Sequence, residues 1–388
     1  MPEAHPIRIL HLISTLDTGG AERNLAHLVI RMDRSLFENQ VVSMTADGPI
    51  GEKIRAQGVP VDILDLRKGL PDPRGIKRLG KIVRAFKPDI IQTWMYHANL
   101  LGCFFSKRTP LIWNLRCSDM DLNHYGPIYR LVVRLGAWCA RIPDAVIANS
   151  YAGESSHTGI GYHPRRWEII PNGFDTALFR PDPTARVQVR QELNIPHNAI
   201  VIGLIARLDP IKDHPTFFSA ARILLNTHPD THFVLAGRGV EVSNPSIQPR
   251  LKDMSGNLHL LGEQREVHRI MASLDIATSS SSSEGLPNTI GEAMATGLPC
   301  VVTNVGDSGL LVDKTGVVVP PRNPEALAQA WTGLIDAGPE YRTNLGHLAR
   351  ERIQTQYGMA AMVGRYENLY RGIKKDYEAD LRGSLCRR

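Results

Sequence analysis

The stretch LDIATSSSSSEGLPNTIGEAMATGLPCVVTN, residues 274–304, decides how this chain is read. DIATSS is a short apolar strand that runs into serines, Ser279 to Ser283. Gly285 frees the backbone for a sharp turn, because a residue without Cβ reaches conformations closed to others. Pro287 suits the first turn of a helix, where its missing N–H is not needed. TIGEAMATG is then that helix, with Gly297 closing it and Pro299 opening the next strand, PCVVTN. Strand, turn, helix and parallel strand make one βαβ step. Two carboxylates ride on it, Glu284 at the mouth of the turn and Glu292 inside the helix.

A helix N-terminus at the carboxyl end of a parallel strand is where open α/β sheets bind anions, since its first amides are free and its dipole is positive there. The backbone from Gly285 through Leu286, Pro287, Asn288 and Thr289 could therefore cradle a diphosphate, with Glu284 beside it. Glu292, deeper in the helix, could accept hydroxyl donors from a sugar. An ordinary βαβ turn with two solvated glutamates fits the same residues, so this stretch leaves both readings open.

Working outward, the same alternation fills the chain. IRILHLI, VVSMTA, VDILDL, DIIQTW, TPLIWNL and AVIANS read as strands, with AERNLAHLVIRM and RGIKRLGKIVRAF at helical spacing between them. Around IIPNGFDTALFRPDPTARVQVRQELN four prolines and glycines crowd together (Pro171, Gly173, Pro181, Pro183), which suits an interdomain linker. The alternation then restarts with AIVIGLIARL, HPTFFSAARILL, THFVLAG, LHLLG, REVHRIMASL, DIATSS, PCVVTN and GVVVPP. The prediction is α/β, with two Rossmann-like doubly wound domains: residues 1–175 and 176–356, with a closing helix from about 357. EADLRGSLCRR at the end is expected to fray.

At 388 residues, two domains suit the length better than one core. The net charge of +6 is too small for a nucleic-acid footprint, so no nucleic-acid partner is expected. The five cysteines lie far apart without a CxxC pair, which argues against a disulfide framework or a zinc site. MPEAHPIRILHLIS has no basic start followed by a long apolar core, and no run is long enough to span a bilayer. A cytoplasmic protein is expected.

Further side chains attract attention. In GLIARLDPIKDHPTFF, Arg207 and Lys212 leave a strand–helix loop and could neutralise a diphosphate without a metal. Solvated loop charges are the alternative. STLDTGGAERNLAHL sets Gly19 and Gly20 between strand and helix; it lacks GxGxxG, so a dinucleotide site is not indicated. Asp119 and Asp121 form a DxD pair, cheap by chance on a loop, and no metal role is expected of them. In YGPIYRLVVRLGAWCARIPD, Arg130, Arg134 and Arg141 accompany Tyr125, Tyr129 and Trp138 on a helix that could lie on an anionic membrane. Packing on the sheet explains Leu131, Val132, Leu135 and Cys139 as well, and is the preferred reading, with a basic edge left for lipid.

Taken together, GGAERNL, IIPNGFD, GLIARLDPIKDHPTFFSAA, LLGEQREV, SSSSSEGLPNTIGEAMATGLPCVVTNVGDSG and GVVVPPRNPEALAQA resemble the retaining glycosyltransferases of family 4, which have the GT-B fold of two Rossmann-like domains facing a cleft. The resemblance covers both halves in order. It implies that Gly19 and Gly20 shape the cleft wall beside the donor phosphates and that Arg207 and Lys212 bind the diphosphate of a nucleotide sugar. It implies further that Glu284 and the backbone of Gly285–Thr289 face the donor sugar, that Glu292 binds ribose, and that Leu261 and Glu263 line the base pocket. The final helix would cross back to the first domain. Many members carry a histidine where the fifth strand ends; here PLIWNLRCSDMD offers Arg116, and His97 in QTWMYHANLLG follows the preceding strand, so either could serve. The usual GG-x-x-E loop is shortened to NVGDSGLLVDKTG. The expected donor is a nucleotide diphosphate sugar, with uridine diphosphate as the family-based guess for its carrier; the acceptor is a glycan or lipid-linked hydroxyl, and no cofactor is needed. A nucleotide-sugar epimerase of the same fold, or a non-catalytic scaffold, are the rivals, separable by product analysis and by release of nucleotide diphosphate.

Overall fold

The computed structural model describes residues 5–66, 73–117, 126–250, 254 and 256–385. Two compact units divide the chain: Met1–Gly173 with Ala360–Arg388, and Phe174–Met359.

The first unit starts with β1 (Ile7–Ile13), α1 (Gly20–Arg31), β2 (Phe37–Ser43), α2 (Pro49–Ala56) and β3 (Val61–Ile63). It continues with α3 (Pro73–Phe86), β4 (Ile90–Trp94), α4 (Tyr96–Gly102), β5 (Leu111–Leu115), α5 (Pro127–Cys139), β6 (Ala145–Ala148), α6 (Tyr151–Gly159) and β7 (Trp167–Ile169). The strands form one sheet in the order β3-β2-β1-β4-β5-β6-β7, parallel throughout. β4, β5 and β6 are buried along their whole length, as befits parallel strands covered on both faces.

α5 departs from the packing expected of it. Val133 and Gly136 are its buried residues. Val132 and Cys139 pack half-buried against the core as expected, and a Cβ on Gly136 would lie 2.3 Å from the Tyr162 hydroxyl, so the helix approaches its neighbours closely there. Leu131 and Leu135, read as packing residues, face outward instead, 57% and 42% exposed.

The second unit holds α7 (Pro183–Glu192), β8 (Val201–Ile205), α8 (His214–Leu225), β9 (His232–Ala236), β10 (Leu258–Leu260), α9 (Val267–Ala272) and β11 (Ile276–Ser279). Then come α10 (Asn288–Ala295), β12 (Cys300–Thr303), α11 (Ser308–Val312), β13 (Gly316–Val319), α12 (Pro324–Asp336) and α13 (Gly338–Arg352). Its parallel sheet runs β10-β9-β8-β11-β12-β13. Alternate residues of each strand feed opposite faces: Val201, Ala277 and Val302 join Ile290 and Met294 of α10 on one side, while Ile202, Ile276 and Val301 join Phe217 and Trp331 on the other.

The linker expected near 169–194 is in large part structured. The prolines that suggested a break punctuate a helix start: Asp182 caps α7 by accepting from Ala185 N at 2.9 Å, and Pro183 fills the first turn. Arg190 of α7 is buried and donates to Asp275 Oδ2 at 2.7 Å; the same oxygen accepts from Val201 N at 2.7 Å. One carboxylate thus ties helix, β8 and the approach to β11.

The last helix, α14 (Met359–Leu385), runs on into the tail expected to fray, whose last three residues lie outside the described ones. It packs on the first unit, where Asn114 Nδ2 donates to Tyr366 Oη at 2.7 Å and Tyr370 Oη donates to Gln92 Oε1 at 2.5 Å. Burial and the neighbouring Tyr366 hold the Tyr370 phenol well above its usual range, so it stays a donor.

Candidate functional site

In each sheet the strand order reverses once beside the first strand of the unit. In the second unit β9 lies on one side of β8 and β11 on the other, so the loops that leave the carboxyl ends of β8 and β11 stand at the reversal, the position where open α/β sheets bind ligands. Those loops carry Arg207 and Lys212, and Glu284 through Glu292.

The loop after β8 turns through Pro210–Lys212 as a short 3₁₀ segment, begun by Asp209, whose carboxylate accepts from Ile211 N at 3.1 Å. Arg207 is half exposed and donates through Nε to Asp209 Oδ2 at 3.0 Å. Partial burial alone would raise the Asp209 pKa, but the Ile211 amide and the Arg207 guanidinium, with Lys212 nearby, outweigh it and hold the carboxyl below its usual range. Asp213 follows in the left-handed region, φ 45°, and caps α8 through Thr216 N and Oγ1.

Lys212 turns to the neighbouring loop. Its Nζ donates to Glu284 Oε1 at 2.5 Å, with the two side chains 18% and 11% exposed. Ser281 Oγ donates to the same oxygen at 2.7 Å. The backbone is stitched as well: Ser280 Oγ donates to Lys212 O at 2.8 Å, and Ser282 N to Ile211 O at 2.7 Å. The serine run is therefore a set of short donors that bind two loops together. Its length was visible in the sequence; which oxygens it would meet was not.

A third loop completes the frame. Gly306, after β12, has φ 53°, and a Cβ there would stand 2.1 Å from the Glu284 carbonyl oxygen. Asp307 N donates to Gly285 O at 2.8 Å. The shortened NVGDSG segment thus clamps the backbone of Glu284 and Gly285 from the far side, a role sequence reasoning missed.

Past the turn, Gly285, Leu286 and Pro287 are buried, Asn288 is exposed and Thr289 half-buried. Pro287 sits one position before α10 rather than in its first turn, and Gly297 follows the helix with φ 83°. Glu292 is half-buried on the helix's fifth residue. Gly291 beside it lets the Phe174 ring lie on the helix, since a Cβ would meet Phe174 Cζ at 2.1 Å. Leu261 and Glu263 flank Gly262 beyond β10; Leu261 N donates to Leu235 O at 2.9 Å, and Glu263 is exposed. Two cations on one loop thus have different carboxylates, Arg207 with Asp209 and Lys212 with Glu284.

In the first unit the reversal falls between β1 and β4. Gly19 and Gly20 lie after β1, at the start of α1. Neither has a positive φ, and a Cβ on Gly20 would have nothing within 4 Å; on Gly19 it would meet only the end of the Glu22 side chain. Their backbone therefore does not require glycine. His97 follows β4 on α4, half-buried beside Tyr129 with ring centroids 6.1 Å apart, and burial lowers its pKa. Met95 enters that helix at φ 70°, ψ 167°, a region favoured by glycine. Arg116 follows β5, with its guanidinium 5.5 Å over the Trp94 ring and Nη1 donating to Ile170 O at 3.4 Å. Its buried Nη2 has no hydrogen-bond partner among the described residues. Burial lowers its pKa, against the pull of Tyr366. Asp119 and Asp121 lie outside the described residues, among which no cluster of His, Cys, Asp and Glu suits a metal ion.

The profile of Glycosyltransferase Family 4 matches residues 18–178, and that of Glycosyl transferases group 1 matches residues 199–337. EpsF of Bacillus subtilis, which carries a glycosyltransferase name, is 30% identical over 316 residues, 76% of this chain and 79% of its own length. The UDP-Gal:alpha-D-GlcNAc-diphosphoundecaprenol alpha-1,3-galactosyltransferase of Escherichia coli is 28% identical over 213 residues, 53% of this chain and 54% of that relative. The solved structure of Anabaena HepE in complex with UDP superposes with a TM-score of 0.78 at 22% identity, covering 94% of this chain and 100% of that one. Sucrose-phosphate synthase from Thermosynechococcus elongatus gives 0.72 at 17%, covering 94% and 99%. The chain belongs to the family 4-like glycosyltransferases, and its two Rossmann-like domains are those of the GT-B fold.

Proposed function

We propose that the protein transfers a sugar from a nucleotide diphosphate donor, with UDP as the first candidate carrier, to a hydroxyl acceptor with retention of configuration. The observation that carries this reading is the Lys212–Glu284 pair at the reversal of the second sheet, beside the start of α10. A departing diphosphate needs its charge neutralised; Arg207, Lys212 and the amides around Leu286, Asn288 and Thr289 can supply that without a metal. Glu284 would meet the donor sugar next to Gly285, and Glu292 the ribose. Leu261 and Glu263 would border the base, and Gly19 and Gly20 would let the first unit's backbone approach the phosphates. For the remaining role, Arg116 has a buried donor without a partner among the described residues, and burial favours the neutral form of His97.

UDP as carrier is supported by the structures of HepE with UDP and with UDP-glucose. The galactosyltransferase relative, whose name specifies a diphosphoundecaprenol-linked acceptor, supports a lipid-linked or polysaccharide acceptor. A lipopolysaccharide core mannosyltransferase, LpsB of Rhizobium meliloti, 26% identical over 216 residues, supports surface-glycan assembly as the setting. A cytoplasmic enzyme touching the inner face of the membrane fits that acceptor. No helix among the described residues is long and apolar enough to cross a membrane.

The test is a panel of nucleotide sugars scored by thermal shift, then incubation of the stabilising donor with polyprenyl diphosphate sugars and analysis of the product's anomeric configuration. A ligand at a hundred times its Kd adds about 2.7 kcal/mol of stability. An inverted product rejects retention; a rearranged donor with no transfer would mean epimerisation.

A further inference from the structure

α5 carries a surface that the transfer reaction does not use. Ile128, Leu131, Leu135 and Trp138, with Ile142 just past the helix, recur at helical spacing and are all exposed, Trp138 to 83%. Such a stripe is ordinarily the buried one; here α5 already packs its other face, Val132, Val133, Gly136 and Cys139, on the core, and the stripe is left over. Arg134 and Arg141 flank the stripe, exposed and without a carboxylate partner among the described residues. From 126 to 143 there is no acidic residue. Beside Trp138 and Arg141 lies an open hollow of about 480 Å³, also lined by Gly161 and His163.

We propose that α5 docks the protein flat on an anionic phospholipid bilayer, with the stripe in the headgroup–acyl boundary and the arginines on lipid phosphates. An apolar face with tryptophan at its edge and arginines alongside is the pattern of an interfacial helix. Charge favours a bilayer over a second copy of the chain, because a two-fold contact would bring Arg134 and Arg141 against their own kind. The hollow beside Trp138 is open and carries the Arg141 guanidinium at its edge, which suits one lipid phosphate with its adjoining apolar chain. This proposal rests on the lipid-linked reading of the acceptor only for its purpose, and vesicle binding is measured without turnover.

The experiment uses the full chain with vesicles of phosphatidylcholine alone or mixed with phosphatidylglycerol, read by co-sedimentation and tryptophan emission. Trp94, Trp113 and Trp331 are fully buried and Trp167 is half-buried in β7, so the part of a blue shift that Trp138→Phe removes is the part that reports on Trp138. The expected result is binding to the anionic vesicles with a blue shift. Trp138→Phe should abolish most of the shift while binding persists. Arg134→Gln and Arg141→Gln should each weaken binding about fivefold, and Leu131→Gln with Leu135→Gln should abolish it. All these positions are exposed, so melting curves should match the parent. Protein that stays in the supernatant with anionic vesicles overturns the proposal, as does a dimer in solution that the Leu131→Gln, Leu135→Gln variant dissociates. Loss of sugar transfer with vesicle binding intact counts against the enzymatic reading alone.

Discussion

Lys212 Nζ and Glu284 Oε1 meet at 2.5 Å across the strand reversal of the second sheet, from loops that leave adjacent strands. The contact couples the two residues. Removing Lys212 leaves a mostly buried carboxylate with the Ser281 hydroxyl as its remaining described donor. Lys212→Ala should therefore destabilise the protein by about 1–3 kcal/mol. It should also lower turnover by about 10²–10³, the usual loss when one charge-stabilising donor is removed. A double-mutant cycle with Glu284→Gln, read by denaturation, should show coupling of about 0.5–3 kcal/mol; additive effects would mean the contact is absent in solution.

The two glutamates should differ in kinetics. Glu292→Gln should raise the Michaelis constant for donor more than it lowers kcat, as expected for binding shared by ground and transition states. Glu284→Gln should lower kcat more than donor affinity, although freeing Lys212 will move affinity somewhat. Steady-state kinetics with calorimetric donor titration decide; identical profiles reject the division.

Gly306→Ala tests the clamp behind Glu284. Left-handed backbone alone costs a non-glycine residue about 1–2 kcal/mol, and the new methyl would stand 2.1 Å from the Glu284 carbonyl. The loop has to shift, and a shift of that size near reacting groups costs roughly 10²-fold in rate. A variant with normal kcat would show that Glu284's position is not critical.

Gly20→Ala separates structure from binding. The methyl meets nothing within 4 Å, and alanine in place of helical glycine gains up to about 0.5–1 kcal/mol. Tm should hold or rise while kcat/KM falls. Unchanged kinetics would remove this loop from the donor site.

Acid stability follows from two buried histidines, one in each unit. Burial lowers His11 to about 4 despite the opposing Asn39 hydrogen bond, and lowers His214 to about 4 against smaller pulls from the Ala206 backbone and Asp213. Unfolded, each takes a proton near pH 6.5, so the unfolded chain binds more protons between pH 6.5 and 4. Stability is full above that window and falls through it, by about 1.4 kcal/mol per pH unit for each histidine. Urea melts at pH 7.0, 5.5 and 4.5 of the parent and of His214→Asn should show a smaller acid loss in the variant. An equal loss means His214 titrates normally in the fold.

Metal dependence is open to a direct assay. Arg207, Lys212 and the α10 amides should suffice for the diphosphate, so activity should survive EDTA; loss restored by Mg²⁺ or Mn²⁺ would return attention to Asp119 and Asp121.

The sequence alone determined the α/β class and most strands, because apolar runs such as IRILHLI and DIIQTW have the length and flanks of buried parallel strands. It also marked Glu284, Glu292, Arg207 and Lys212, since strand–loop–helix punctuation shows which residues leave a strand's carboxyl end. Local patterns gave less where one signal has two outcomes. The prolines near Asp182 suit a linker or a helix start, and the apolar positions of α5 suit core or surface. Tertiary structure decided what depends on distant partners: which carboxylate Lys212 meets, that Ser281 shares it, that Gly306 backs it, and that Leu131 and Trp138 face outward. Those contacts join residues far apart in the chain, for example the 72 positions between Lys212 and Glu284. Their geometry is fixed by strand order and register, which no local periodicity encodes.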